Sequence, residues 1–144
     1  MATVSFTTTR PTPITTDRLL WAGALTAVFA ITTSMIIYYA ADSVTDLSGF
    51  SLLNPVSISV STALAAIFAT VIYGLLGRYN TTPTDTFRKI TTGVLLASFV
   101  PIFGLMLGIG GFAITVGTVV TLVLMHSVAA VAIFGMLTTI VRDH

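Results

Sequence analysis

The sequence predicts an all-α membrane protein, a bundle of four transmembrane helices that run up, down, up and down. The chain of 144 residues is 55% hydrophobic and only 8% charged, whereas soluble domains carry about 25% charged residues. Four apolar segments are each long enough to cross a hydrocarbon layer of roughly 30 Å, which takes about 20 helical residues. The basic residues of the chain all fall at one end of these segments.

The four segments lie at about 19–41, 55–76, 86–107 and 115–141, within a transmembrane domain at 18–144. Residues 1–17 are rich in threonine and have no helical or strand periodicity, so they are predicted to form a disordered cytoplasmic tail. The last segment has neither a charge nor a proline, and His126 is the only strongly polar side chain near its middle.

In segment one, Asp17 is predicted to be the N-cap. Thr32, Thr33 and Ser34 are expected to donate to carbonyls of their own helix, which makes hydroxyls inexpensive in lipid. The loop that follows contains the apolar stretch Leu47–Leu53, which is too short to cross the membrane and is predicted to rest on its surface as a short helix.

Segment two begins with Asn54-Pro55, an N-cap side chain followed by a proline at the first helical position, where no amide hydrogen is needed. Its first half is small and rich in hydroxyls, including Ser57 and Ser61. Small residues let helices approach closely in a bilayer, so this half is predicted to form the tightest helix contact. The alternative is that Ser57 and Ser61 line a polar path together with His126.

Segment three is predicted to be capped by Thr84 or Asp85. Pro101 lies inside it, removes one backbone hydrogen bond and should bend the helix, either as a packing kink or as a hinge for gating. Gly104 and Gly108 form a GxxxG pattern, which predicts a second close-contact face.

The six basic residues predict the orientation. Arg10 and Arg18 precede segment one, the loop between segments two and three is bracketed by basic residues, and Arg142 follows segment four. Basic residues in short loops mark the cytoplasmic side. We therefore expect a multi-pass protein of the inner (plasma) membrane with both termini in the cytoplasm.

His126 is the candidate functional residue, because an ionisable group inside a bilayer is costly to bury. One interpretation is structural, with the imidazole bonded to a Ser or Thr of a neighbouring helix. A second is contact with a proton or a substrate. A third is axial ligation of a porphyrin or chlorin; a haem with two histidine ligands would need a second histidine, and His144 lies at the wrong depth.

Composition argues against an enzyme and a metal site. The chain has no cysteine and no glutamate, and no aspartate lies near His126 in any segment. A Ser–His–Asp arrangement needs a buried acid to orient the imidazole. With a net charge of +1 and no basic patch on a soluble face, nucleic acid is not an expected partner. The expected partners are the lipid bilayer and either another membrane protein or further copies of this chain.

Three stretches carry a resemblance to a known family: DRLLWAG at Asp17–Gly23, the small-residue segment after Asn54-Pro55, and LMHSVAAVAIFGML at Leu124–Leu137. Over nearly its whole length the chain resembles an uncharacterised family of small bacterial four-helix membrane proteins, a domain of unknown function (DUF6069). The resemblance implies the four-helix architecture and a histidine in the fourth helix, and it implies no activity.

Three hypotheses about function follow. The first is a non-enzymatic accessory or structural subunit of a membrane assembly. The second is a small transporter or channel subunit with a polar path at His126, which requires a cavity lined by Ser57, Ser61 and His126. The third is a cofactor- or pigment-binding subunit with His126 as the ligand; otherwise no cofactor is expected.

The orientation can be tested with single cysteines, because the chain has none of its own. We expect Ile109→Cys, in the GIGG turn between segments three and four, to react with a membrane-impermeant maleimide on intact cells. Thr81→Cys, in the loop with basic residues, should react only after lysis. The opposite pattern would contradict the predicted topology.

Overall fold

The computed structural model describes residues 15–45, 47, 50–109, 111 and 114–141. Over these residues the chain forms four helices and no strand: α1 (Thr16–Asp42), α2 (Pro55–Tyr79), α3 (Pro83–Met106) and α4 (Val116–Ile140). Each has 24 to 27 residues and is apolar enough to span a membrane. The predicted all-α membrane fold is therefore confirmed. The predicted tail lies almost wholly outside the described residues, as do Arg10, Arg142 and His144.

Contacts between helix ends show that consecutive helices are antiparallel. Leu19, near the start of α1, lies against Gly74, near the end of α2. Phe87, near the start of α3, stacks on Phe134, near the end of α4, with 6.0 Å between ring centroids. Thr45, just after α1, lies against Gly117 at the start of α4. α1 packs against both α2 and α4, and α3 packs mainly against α4.

Local signals determine where the helices begin. The Asn54 side chain accepts a hydrogen bond from the Ser57 amide at 2.9 Å, and Pro55 is the first residue of α2, as predicted. α3 begins at Pro83, three residues earlier than predicted, because a proline also suits its first turn; Thr82 is the N-cap, not Thr84 or Asp85. In α1 the N-cap is Thr15, and Asp17 lies in the first turn.

The tightest packing is at the crossing of α1 and α2. From Ala22 to Ser34 every fourth residue of α1 is buried, and these residues are small: Ala22, Thr26, Ala30 and Ser34. A Cβ atom added to Gly23 would lie 2.7 Å from the Thr70 side chain, so the two helices meet there without room for a methyl group. The Thr26 hydroxyl is buried without a hydrogen-bond partner among the described residues.

The prediction that the first half of segment two makes the tightest contact was therefore wrong. The closest contacts of α2 lie in its second half, at Thr70, Tyr73 and Gly74; of the predicted stretch 56–66, Ile58 and Ala66 are buried. Ser57 and Ser61 are exposed. Small size permits a close approach, but it does not select which small residues make one.

The loop between α1 and α2 packs inward. Leu47, Phe50 and Leu53 are buried and cluster with Ile58 of α2 and Met125 of α4. The described residues of the predicted surface helix thus cover one end of the bundle, because three large side chains bury more apolar area there than they would at an interface with water. We call Leu47, Phe50 and Leu53 the loop plug.

The prediction that Gly104 and Gly108 form a helix contact was also wrong within this chain. α3 ends at Met106, and Gly108 adopts a positive φ of 80° beyond it. The Ile109 amide donates to the Gly104 carbonyl and the Gly108 amide to the Leu105 carbonyl, each at 3.0 Å. These two bonds form a Schellman motif, so Gly108 ends the helix instead of packing against another one.

Pro101 lies inside α3 with an exposed side chain, and the helix continues beyond it to Met106. Both the bend and the hinge remain predictions.

Stability measurements can test the α1–α2 crossing. We expect Gly23→Ala to destabilise the protein by about 1–3 kcal/mol, because the new methyl group would overlap a buried side chain that is already hydrogen-bonded to its own helix. The matched control is Gly93→Ala, where the new Cβ would have no neighbour within 4 Å. Unfolding followed by circular dichroism in detergent measures both; equal stability of the two variants would contradict the packing described.

Candidate binding cleft

A cleft of about 600 Å³ lies between α2 and α3, with α4 as its floor. α2 lines it from Ser57 to Ile72, α3 from Phe87 to Ser98, and α4 from Leu122 to Ile133. α1 contributes Ser34, and Leu52 and Leu53 contribute from the loop. We call this space the α2–α3 cleft.

The cleft exists because α2 and α3 are held together at the turn that joins them. Tyr73 and Phe87 pack with ring centroids 4.9 Å apart, and the Tyr73 and Thr84 hydroxyls are 3.3 Å apart. The Asn80 side-chain amide donates to the Thr86 hydroxyl at 2.8 Å. Phe134 of α4 stacks on Phe87, which extends the group into an aromatic cluster.

The cleft opens sideways, toward the surrounding lipid. Ala65, Phe68 and Val94 line it and are at the same time exposed on the outside of the bundle. The aromatic cluster closes the end nearest the α2–α3 turn. At the other end Leu53 of the loop plug is part of the lining, so among the described residues side chains cover both ends of the cleft and leave one side open.

Counting along the antiparallel helices places several polar residues at one level. Gly23 of α1 lies against Thr70 of the antiparallel α2. Ser34 lies eleven residues after Gly23, so it is level with the position eleven residues before Thr70, which is between Ser57 and Ser61. Thr45 lies against Gly117 at the start of α4. Ser34 lies eleven residues before Thr45, and His126 lies nine residues after Gly117, so these two residues are also at nearly the same level. At 1.5 Å per residue, Ser57, Ser61 and His126 each start within about 3 Å of Ser34 along the bundle.

His126 is half-buried, and its Nδ1 lies 2.7 Å from the Leu122 carbonyl oxygen. A carbonyl can only accept, so Nδ1 donates and carries the proton. The predicted bond to a hydroxyl of a neighbouring helix is therefore wrong, because the partner is a carbonyl one turn earlier in α4. Nε2 has no hydrogen-bond partner among the described residues. In the neutral imidazole it then carries the lone pair, which suits it to accept a hydrogen bond or to bind a metal.

Three of the six hydroxyl residues that line the cleft are paired locally, whereas Ser34, Thr62 and Thr91 have no hydrogen-bond partner among the described residues. The Ser57 hydroxyl accepts from the Asn54 side chain at 3.0 Å. Ser61 donates to the Ile58 carbonyl at 3.2 Å, and Ser98 donates to the Leu95 carbonyl at 2.7 Å. These bonds stabilise the helices in an apolar setting and still leave the oxygen atoms able to accept from a ligand.

Ser34 differs from the other two hydroxyl residues predicted to bond within α1. Thr32 and Thr33 donate to the carbonyls of Val28 and Phe29, each at 2.8 Å, as expected. Ser34 is only 2% exposed, lines the cleft, and has no hydrogen-bond partner among the described residues. Neither Ser34 nor Ser98 was predicted to line a site; the available signal for Ser34 was its four-residue spacing from Ala22, Thr26 and Ala30.

The structure thus brings Ser57, Ser61 and His126 together around one cavity, and it leaves Gly104, Gly108 and Pro101 out of its lining. None of the lining residues is charged. Within the described residues no group of three or more His, Asp or Glu side chains could hold a metal ion.

Comparisons with known proteins give a family without an assigned activity. A family model described as a family of unknown function (DUF6069) matches residues 14–143. No curated protein and no solved structure matches the chain.

The tautomer of His126 can be observed directly. We expect nitrogen NMR of histidine-labelled protein, carrying His144→Asn to remove the second signal, to show a protonated Nδ1 and an unprotonated Nε2 at mildly alkaline pH. The physical reason is the short bond to the Leu122 carbonyl. A protonated Nε2 would contradict the geometry described.

Proposed function

We propose that this chain, which belongs to the DUF6069 family of unknown function, is a non-enzymatic membrane protein that binds a small, mainly apolar molecule from the bilayer. The observation that carries the proposal is the α2–α3 cleft, which joins Ser57, Ser61 and His126 and opens toward lipid. In this role the protein is the binding component of a transporter or of a larger membrane assembly.

The size and lining of the cleft support a small-molecule ligand. Its volume of about 600 Å³ is within the range of roughly 300–1,000 Å³ that is typical of ligand pockets. Such pockets are mostly apolar with a few polar groups that orient the ligand. The absence of charge among the lining residues disfavours an ion as the bound species.

The shape of the cleft favours uptake from the side over a pore along the bundle. The aromatic cluster of Tyr73, Phe87 and Phe134 closes one end, and the loop plug covers the other. An aqueous path would have to displace these buried side chains. We therefore narrow the transport hypothesis: the bound molecule enters through the gap between α2 and α3, and not through a pore along the bundle.

The proposal includes no catalytic step. The partner of His126 Nδ1 is a backbone carbonyl, whereas a general base in a catalytic triad is oriented by a carboxylate. Apart from His126, no carboxylate, cysteine or basic side chain lines the cleft to supply a second reacting group. Axial ligation of a porphyrin or chlorin by the unpaired Nε2 is the alternative. An absorbance band on the purified protein that is lost in His126→Ala would reveal it.

A second candidate function is that of an accessory subunit, and the exposure of α3 favours it. Only Phe87 and Ile102 of this helix are buried, whereas Val94, Leu96 and Val100 are more than 60% exposed. An apolar face of this kind suits either lipid or another transmembrane helix. Co-purification of a second membrane protein or of a homo-oligomer, lost on changing Leu96 and Val100, would support this candidate.

For the location we propose the inner membrane, with both termini in the cytoplasm. The basic residues Arg18, Arg78, Arg88 and Lys89 all lie at the end of the bundle where α1 and α3 begin and α2 ends. Basic residues concentrate on the cytoplasmic side of membrane proteins.

The cleft can be tested by filling it. We expect mass analysis of protein purified in lipid nanodiscs to find a bound small molecule, and Ala65→Trp to reduce its occupancy at least tenfold, because the indole would occupy the mouth of the cleft. The control is Leu64→Trp, since the neighbouring Leu64 is 49% exposed and does not line the cleft. Equal occupancy in both variants would contradict the proposal.

A further inference from the structure

We propose that the ligand of the α2–α3 cleft is a neutral, mainly hydrocarbon molecule with one hydroxyl group, an alcohol or a phenol, bound between Ser34 and His126. This inference rests on the proposed binding function and specifies its ligand. In the complex the ligand hydroxyl donates to His126 Nε2 and accepts from the Ser34 hydroxyl.

The two ends of the cleft differ in chemistry. Ser34, Ser57, Ser61 and His126 lie at the end near the loop plug. The other end is lined by apolar side chains, and its one hydroxyl among the lining residues belongs to Thr91. That apolar group comprises Ala69, Ile72, Phe87, Ile90 and Ile133. From Ser61 to Ile72 the apolar end extends for about 16 Å along α2. A molecule with a polar group at one end and a hydrocarbon body matches this division.

The unpaired polar atoms specify the polar group. Ser34 is nearly fully buried and has no partner among the described residues, so it supplies an unpaired hydroxyl donor at the wall of the cleft. Thr62 and Thr91 also lack a partner there but are only half-buried. His126 Nε2 is an unpaired acceptor, since Nδ1 is bonded to Leu122. A hydroxyl group has one donor and two acceptor positions, so a single hydroxyl can pair with both.

Other polar groups match less well. A charged group would be buried beside no opposite charge, because the lining contains none, and this is costly inside a bilayer. A hydrocarbon without a polar group would fill the apolar end but leave both Ser34 and His126 unpaired. An ether oxygen could accept from Ser34 but could not donate to His126.

Photolabelling in nanodiscs of phosphatidylcholine tests the inference on the whole protein. The probe is dodecanol with a diazirine at the far end of its chain. We expect crosslinks at the apolar end of the cleft, in peptides that contain Ile72, Phe87 or Ile90. Unlabelled dodecanol should compete about 3- to 10-fold better than dodecane or dodecyltrimethylammonium, which corresponds to the usual net strength of one or two hydrogen bonds.

Variants test whether Ser34 and His126 cause the preference for dodecanol over dodecane. Ser34→Ala and His126→Ala should each remove most of the preference for dodecanol over dodecane. His126→Gln, which keeps an acceptor, should retain part of it. Ser127→Ala is the matched control, because Ser127 is bonded to the Val123 carbonyl at 2.7 Å and lies outside the lining. Ser127→Ala should leave the preference unchanged.

The outcomes separate this inference from the proposed function. If the cleft is labelled but dodecane competes as well as dodecanol, or if neither Ser34→Ala nor His126→Ala changes the preference, the hydroxyl assignment fails and the binding function stands. If the probe does not label the cleft and no competitor has an effect, the proposed function itself fails. The comparison of the three competitors uses the unmodified protein and therefore does not depend on the folding of any variant.

Discussion

Close packing of α1 is the constraint on which the rest of the structure depends. Inside a bilayer the backbone must satisfy its hydrogen bonds within each helix, and helices associate through fit, not through exclusion of water. α1 provides that fit with small residues at every fourth position and with Gly23 against Thr70. It thereby holds α2 and α4, while α3 is attached through α4 and the aromatic cluster. The cleft is the space that this unequal attachment leaves between α2 and α3.

The polar chemistry of the cleft follows from the same arrangement. Hydroxyls in an apolar setting usually donate to a carbonyl of the preceding turn, as Ser61 and Ser98 do here. His126, which lines the cleft, follows the same pattern through Nδ1, and in the neutral imidazole this bond leaves Nε2 as an unpaired acceptor. Ser34 departs from the pattern. An unpaired donor, the buried Ser34 hydroxyl, and an unpaired acceptor, His126 Nε2, therefore lie at one level of a mainly apolar space.

The sequence was sufficient for the number of helices, the Asn54-Pro55 start and the grouping of Ser57, Ser61 and His126. Hydropathy measures length and composition, and these predicted the spans well. It could not predict which faces pack, because a helix in lipid is apolar on all sides and has no polar face to indicate the exterior. For this reason the contact was assigned to the wrong half of α2, the loop plug was expected on the surface, and Ser34 was overlooked. Gly108 was misinterpreted because a glycine pattern alone does not distinguish a helix contact from a helix end.

The sideways opening of the cleft has a thermodynamic consequence. A molecule that reaches Ser34 and His126 between α2 and α3 comes from the hydrocarbon phase, so it loses little hydration on binding. Its occupancy then depends on its mole fraction in the lipid and not on its concentration in water. Diluting such a molecule with more bilayer, at constant aqueous volume, would empty the site, whereas adding buffer would leave it filled.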